Sequence, residues 1–165
     1  MTLVIIVIVL TLCAVFASMH NVRPDTMCIV ERLGKYSQTW GPGMHVCVPI
    51  IDNVVATVST KVQNMESSDQ PVISSDNETL IGRYRLSFQI TDPQRYHYSA
   101  ANTLTALEIL TWKVTRDVFG DMSAEYIRSN YDEVRKNIVL TLFDAAEQFG
   151  VGVVDFEYEI INRGE

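Results

Sequence analysis

The first 22 residues of the chain carry no charged side chain, and this feature most limits what the chain can fold into. The 13 basic and 20 acidic residues all lie at or after Arg23. Residues 2–19 would span about 27 Å as a helix, close to the roughly 30 Å hydrocarbon core of a bilayer. We therefore predict a transmembrane anchor within residues 1–22. Its apolar side chains are Leu3, Val4, Ile5, Ile6, Val7, Ile8, Val9, Leu10, Leu12, Val15 and Phe16.

A cleaved signal peptide is the alternative for this segment, with a small-residue cleavage site at Val15-Phe16-Ala17. A signal peptide normally opens with a positively charged region, which this segment lacks, so the pattern favours the anchor. In lipid an unpaired backbone is costly, and helix is expected despite the β-branched run. Arg23, Arg32 and Lys35 follow the segment and none precedes it, which favours a cytoplasmic location for the remainder.

The acidic composition argues against nucleic acid as a partner. The formal net charge is −7, whereas phosphate recognition needs a basic face. Three cysteines, at positions 13, 28 and 47, give neither a disulfide framework nor a zinc-ligand pattern. We expect no cofactor and no metal site.

The sequence also contains no recognisable set of catalytic residues. His45 and Cys47 would share one face of a strand, yet no third orienting residue follows, and Cys47 lies in an apolar run. A buried structural cysteine is favoured over a catalytic one, and we expect a protein that is not an enzyme.

Residues 23–98 are predicted to be rich in β-structure. The clearest strand is Tyr84–Ile90, where apolar residues alternate with polar ones. Gly41-Pro42-Gly43 is typical of a turn. The other expected segments are a strand at 27–30, a turn region at 36–43, extended chain at 44–48, a strand at 53–62 and polar turns at 67–77.

Residues 99–165 are predicted to form two long helices and a final strand. Asn102 would cap a helix that runs to Phe119 and ends at Gly120. A second helix is expected over 131–149, with a short one possible over 121–128, and Gly150 would end the second. The expected helix stripes are Leu104, Leu107, Leu110 or Thr111, Val114 and Val118, then Val134, Ile138, Leu142, Ala145 and Phe149. The expected inward residues of the strand are Val154, Phe156, Tyr158 and Ile160. This order favours an α+β fold with a mainly antiparallel sheet.

The turn Trp40, Gly41, Pro42, Gly43 and Met44 has two interpretations. Trp40 and Met44 could fold back onto the core, or the turn could touch the lipid interface beside the anchor. Tryptophan suits the headgroup depth, and the turn carries no charge.

Three carboxylates, Asp155, Glu157 and Glu159, fall on one face of the final strand. They could form a solvated face that resists aggregation, a contact with Arg83 or Arg85 of a neighbouring subunit, or, least favoured, a calcium site.

Several segments in order resemble the SPFH or band 7 group, which contains stomatin, slipin, prohibitin and flotillin. They are VERLGKYSQTWGPGMHVCVPIIDNV (30–54), VISSDN (72–77), ITDPQRYHY (90–98), GDMSAEYI (120–127) and GVGVVDFEYEI (150–160). Slipin and stomatin-like members look most similar, and the resemblance covers about 22–162.

The resemblance implies a membrane-anchored scaffold that forms homo- or hetero-oligomers with other SPFH subunits. Such proteins organise membrane microdomains and modulate integral membrane proteins such as proteases or channels. Family members normally continue into a long coiled coil, and no heptad run is found before Glu165, so small or weak oligomers are expected of this chain alone. A secreted or periplasmic binding domain, released by signal cleavage, is the alternative function.

Overall fold

The computed structural model describes residues 18–161, and its contacts divide the chain into two units after Lys61. The first unit comprises the described residues up to 61, and the second comprises 62–161. The sequence pattern predicted a change from strands to helices at 98/99, and that change falls inside the second unit.

The first unit is built from five strands. They are β1 (Met19–Val22), β2 (Thr26–Arg32), β3 (Lys35–Trp40), β4 (Gly43–Val46) and β5 (Asp52–Ser59). β1 pairs with β4 in a two-stranded antiparallel ribbon, and the other three form an antiparallel sheet in the order β3-β2-β5.

The interior of the first unit is small. One cluster of buried side chains joins the ribbon to the sheet and consists of Val22, Cys28, Val30 and Trp40. The Cys28 thiol also lies 3.3 Å from the hydroxyl of Thr57 on β5. The strand predicted at 27–30 is confirmed, because its apolar run is what the sheet buries.

The turn region predicted at 36–43 is wrong for most of its length. Lys35–Trp40 is strand β3, and the reversal occurs earlier, at Leu33 and Gly34, with φ of 51° and 78°. Arg32 pairs directly with Lys35, so two residues with positive φ make the hairpin, as in the turns that match strand twist. The sequence does not indicate this strand, because most side chains of β3 are polar and face solvent and therefore show no apolar alternation.

The predicted anchor lies mostly outside the described residues, which begin at Ser18. Its last four positions, Met19–Val22, form β1 rather than helix, because their backbone pairs with β4. Within residues 18–161, no helix is both long enough and apolar enough to cross a membrane.

The second unit has a four-stranded antiparallel sheet around one long central strand, β8 (Thr79–Ile90). β6 (Gln63–Glu66) and β7 (Gln70–Ile73) follow each other along one edge of β8. β9 (Val151–Ile161) pairs along the other edge. The alternation predicted for 84–90 is confirmed: the apolar set is buried. β7 falls within the segment predicted to be turns, since its four residues are too few to show a period.

The helices of the second unit are α1 (Pro93–Tyr98), α2 (Thr103–Gly120), α3 (Ala124–Ser129) and α4 (Tyr131–Ala146). A 3-10 turn, Glu147–Phe149, extends α4. Both α2 and α4 were predicted as long helices, and their buried stripes cover the sheet. Fully buried side chains include Leu86, Leu107, Ile138, Leu142 and Phe156.

Two helix boundaries are set by local chemistry that the sequence revealed. The Asn102 side chain accepts a hydrogen bond of 3.2 Å from the Thr105 N–H at the start of α2. Gly150, with φ of 68°, ends the turn after α4, and a Cβ there would lie 2.2 Å from the Asp92 carbonyl oxygen. Gly120, by contrast, is the last residue of α2 rather than the residue that follows it.

Two predicted core positions are corrected by the structure. Leu104 is 43% exposed because the buried stripe of α2 runs instead through Thr103, Leu107 and Thr111. Val154 is 53% exposed because β9 has a bulge there: Ser87 pairs with Asp155, whereas Phe88 pairs with Val153. The extra residue in a bulge is left out of the pairing, which interrupts the alternation.

Candidate functional site

The ribbon of the first unit presents an exposed apolar face. Met19 pairs with Val46, and Asn21 pairs with Met44, so these four side chains share one face of the ribbon. The three apolar ones are 49%, 66% and 71% exposed, in the order Met19, Val46, Met44. The opposite face carries Val22, which is buried with Trp40.

The loop after β4 adds further exposed apolar residues. Ile50 is fully exposed and has a φ of 75°, a conformation that is an outlier for a β-branched residue. No charged side chain occurs between Lys35 and Asp52. We call this set the apolar rim; its members are Met19, Leu33, Met44, Val46, Val48, Ile50 and Ile51.

Asp52 holds the loop of the apolar rim in place. Its carboxylate accepts a 2.7 Å bond from Arg32 Nε and a 3.0 Å bond from the Val48 N–H. Its own N–H donates to the Val48 carbonyl at 2.9 Å, and the Leu33 N–H donates to the Ile51 carbonyl at 3.0 Å. The hydrogen bond from Arg32, followed by that from the Val48 N–H, lowers the pKa of Asp52. The loop that exposes Ile50 is therefore closed by an ionised carboxylate.

Trp40 lies in the interior of the first unit, so its side chain is not available to lipid. It is 4% exposed and stacks on His45, with ring centroids 5.1 Å apart and planes 6° apart. The His45 ring also lies 2.8 Å from the Gly41 carbonyl oxygen through Nε2. The core interpretation thus applies to Trp40, whereas Met44 is exposed. Contact of Gly41, Pro42 and Gly43 with lipid stays a prediction.

The outer face of the second unit's sheet carries an ion-pair ladder. Arg85 is 2.9 Å from Glu66 on β6 and 3.6 Å from Glu157 on β9. Arg83 is 2.8 Å from Asp69, whose hydrogen bond raises the pKa of Arg83, with a smaller contribution from Glu159.

The residues predicted for a subunit contact therefore already have partners within the chain. Arg83 and Arg85 face the same-chain carboxylates just described, and Asp155 is paired with Arg135 of α4. The intersubunit contact itself stays a prediction.

At one residue on the outer edge of β9, side chains of the same chain occupy the backbone hydrogen-bonding groups. The Phe156 carbonyl accepts a 2.7 Å bond from Arg135 Nε, and the Phe156 N–H donates to the Asp155 carboxylate at 2.8 Å. Side chains thus satisfy both outward backbone groups of Phe156. Such local capping of an edge prevents unwanted strand pairing.

Residues 18–161 contain no group of three or more His, Cys, Asp or Glu side chains placed to hold a metal ion. Cys28 and Cys47 are free thiols. The Cys47 thiol faces the Asp52 carbonyl oxygen at 3.5 Å.

Sequence reasoning singled out Met44 but missed the other members of the apolar rim and the Asp52 carboxylate that closes its loop. The available signal was the charge-free stretch between Lys35 and Asp52, which indicates an uncharged surface or a buried strand equally well. Arg135 was also missed, since its partners Asp155 and Phe156 lie about twenty residues away.

Comparisons with known proteins agree with this architecture. The sequence model of the family described as SPFH domain / Band 7 family matches residues 20–161. An uncharacterized protein of Mycobacterium tuberculosis is 29% identical over 157 residues, which covers 95% of this chain and 41% of that protein. An uncharacterized protein of Methanothermobacter thermautotrophicus is 26% identical over 161 residues, with 98% and 50% covered.

Stomatin-like protein 2, mitochondrial, of Mus musculus is 25% identical over 134 residues, with 81% of this chain and 38% of that protein covered. The chain thus spans half or less of the length of these relatives.

Proposed function

Because the chain belongs to the SPFH domain / Band 7 family, we propose that it is a membrane-anchored scaffold of the stomatin and prohibitin type and not an enzyme. It is held by a single crossing in the charge-free residues ahead of β1, with the remainder on the cytoplasmic side. Its partners are the bilayer, other SPFH subunits and integral membrane proteins such as proteases or channels. In this role it organises membrane microdomains and modulates those proteins.

The apolar rim is the observation that supports this proposal most strongly. β1 (Met19–Val22) forms the last four positions of the charge-free segment, so the rim is joined to the proposed anchor without a linker. Exposed apolar patches of this kind mark contacts with lipid or protein in soluble domains. The adjoining segment favours lipid as the occupant.

The energetics fit a tethered domain. At about 25 cal/mol per Å² of apolar surface removed from water, side chains such as Met44, Val46 and Ile50 would contribute a few kcal/mol together. That amount is too small to hold a soluble protein on a membrane by itself. It suffices to fix the orientation of a unit that an anchor already keeps at the surface.

Photo-crosslinking tests the proposal with the full chain in lipid vesicles. A benzophenone amino acid would replace Ile50 in one protein and Ile109 in another. Ile109 is a matched control, since it is 65% exposed on α2 of the second unit. We expect lipid adducts, detected as a mass increase, at position 50 and few at position 109.

Two results would count against the proposal. Equal labelling at positions 50 and 109 would mean that the rim does not face lipid. Mass spectrometry of the mature amino terminus provides the second arm: a new terminus near Ser18 and loss from the membrane fraction would favour the released binding domain instead.

A further inference from the structure

The backbone of β9 presents open hydrogen-bonding groups just beyond Phe156. In an antiparallel strand, alternate residues point their N–H and C=O groups to opposite edges. The N–H and C=O groups of Phe156 point outward, as its bonds to Asp155 and Arg135 show. Pairing with β8 continues from there to Ile161 without a register shift, so Tyr158 and Ile160 also point outward.

The partner strand gives an independent check of this alternation. Tyr84 is the residue paired with Tyr158, and its N–H and C=O bond to Ser67, at 2.9 Å each, on the far side of β8. Tyr84 therefore does not bond to Tyr158. At Phe156, side chains of Arg135 and Asp155 bond to the outward backbone groups. Within the described residues, the outward N–H and C=O groups of Tyr158 and Ile160 have no such partner.

Two adjoining hollows lie beside this open edge. One, of about 180 Å³, is lined by Arg128, Tyr131, Tyr158 and Ile160. The other, of about 250 Å³, shares Tyr131 and Tyr158 and reaches Glu157 and Glu159 on the polar face of the sheet. A strand added to this edge would meet an aromatic and aliphatic wall on one side and carboxylates on the other.

The polar side of the edge is acidic in excess. The ladder contains four carboxylates, Glu66, Asp69, Glu157 and Glu159, against the two guanidinium groups of Arg83 and Arg85. Arg83 donates its hydrogen bonds to the Asp69 carboxylate, so within the described residues Glu159 is the least satisfied carboxylate beside the open edge. The side chains of an added strand that face this side would therefore be basic.

We propose that the outer edge of β9, from Tyr158 to Ile161, binds an extended segment of a partner protein in which Lys or Arg alternates with apolar residues. Backbone groups of Tyr158 and Ile160 supply the pairing, and the two hollows select alternate side chains, as in strand addition generally. This inference deepens the proposed scaffold function. It rests on that function, since a scaffold's partners include proteins.

A second copy of the chain is the less suitable occupant. Antiparallel pairing of two β9 strands centred on Tyr158 would place Glu157 opposite Glu159. Pairing centred on Glu159 would place that residue opposite itself. Like charges directly opposite each other destabilise a strand pair.

The test is fluorescence anisotropy with a labelled seven-residue peptide of alternating Lys and Val, added to the full chain in mild detergent. Two control peptides have the same length: one alternates Glu and Val, and one carries N-methyl groups on the amides that would pair with β9. We expect the Lys-Val peptide alone to bind, and to bind more weakly as salt is raised.

Variants of the protein locate the binding. Ile160→Pro removes an outward N–H, which an edge strand tolerates, and should weaken binding about tenfold, whereas Ile160→Val should leave it unchanged. Glu157→Gln with Glu159→Gln should weaken it about two- to tenfold, the range expected for exposed ion pairs. Asp117→Asn with Asp144→Asn, at exposed positions of α2 and α4, is the charge-matched control.

Each other result would overturn the inference. Equal binding of the N-methylated peptide, or of the Glu-Val peptide, would exclude strand pairing or charge selection. Absence of peptide binding, with self-association that Ile160→Pro abolishes, would assign the edge to a second copy. The assay contains no bilayer, so its failure leaves the lipid crosslinking result intact, and the reverse also holds.

Discussion

Both units are built on antiparallel strands, but with very different amounts of clustered interior. The first unit has a cluster of four buried apolar side chains, and the second has one of 18. Buried apolar area is the main favourable term in folding. The order of the first unit therefore depends on a few groups, chiefly Trp40 and the Arg32–Asp52 pair, whereas the second unit spreads its stability over two long helices and a sheet.

The solvent-facing surfaces of the two units also differ, in the kind of side chain that they expose. The first unit exposes the apolar rim, and the second exposes the ion-pair ladder centred on Arg83 and Arg85. In proportion to its length, the unit with the smaller interior thus exposes more large apolar side chains. We therefore expect a bound surface to change the stability of the first unit more than that of the second.

The largest expected effect comes from Trp40→Ala, which should destabilise the chain by about 3–5 kcal/mol. Because Trp40 is one of only four members of its cluster, amide hydrogen exchange should rise across 18–61 and little across 79–161. Leu142→Ala is the matched change in the second unit and should give the reverse map. Equal increases in both units would contradict the separation drawn between them.

The next effect concerns the second unit, where Gly150→Ala should cost about 3 kcal/mol or more. Ala disfavours a φ of 68°, and its Cβ would lie 2.2 Å from the Asp92 carbonyl oxygen. Urea unfolding followed by circular dichroism measures the change. Gly120→Ala is the control, since its Cβ would meet nothing within 4 Å, and it should be neutral or slightly stabilising. Similar losses in both variants would refute the assigned role of Gly150.

The smallest expected effect is a pH dependence of the first unit through Asp52. Its pKa is lowered in the folded state, so the stability it contributes is present above the unfolded pKa of about 3.9 and is lost as pH falls through the folded pKa. Asp52→Asn should therefore be less stable than the parent at pH 7, and the difference should shrink below about pH 4.

Urea unfolding of both proteins at several pH values, followed by tryptophan fluorescence, measures that difference. Gln38→Ala, an exposed change on β3 that removes no carboxylate, is the control, and its difference from the parent should not change with pH. If the difference in the free energy of unfolding between Asp52→Asn and the parent stayed constant from pH 7 to pH 3, that result would argue against an ionised Asp52 holding the loop in place.

Local patterns were sufficient to predict the second unit's main elements. The alternation of β8, the Asn102 cap and the Gly150 stop each depend on residues within a few positions of one another. The α+β class follows from their order. A bulge such as the one at Val154 cannot be predicted in this way, because it depends on the register with β8.

The candidate surfaces were less predictable than the fold. Trp40 and Met44 flank the same turn, yet one is buried and the other exposed. The sequence does not show which face of the ribbon packs inward, because that depends on pairing between β1 and β4. The Asp155–Arg135 pair was likewise hidden, since a contact between a strand and a helix leaves no short-range pattern.

The closure of β9 at Phe156 also limits how much chain the edge can hold. Only Tyr158–Ile161 remains beyond it within the described residues, a length of about 14 Å for an antiparallel strand. A segment that pairs only with these four described residues would bind weakly and exchange rapidly. Weak single contacts become effective when many copies share one surface, since each bound site raises the local concentration for the next. Occupancy of this edge would then report the local density of the chains rather than the affinity of one contact.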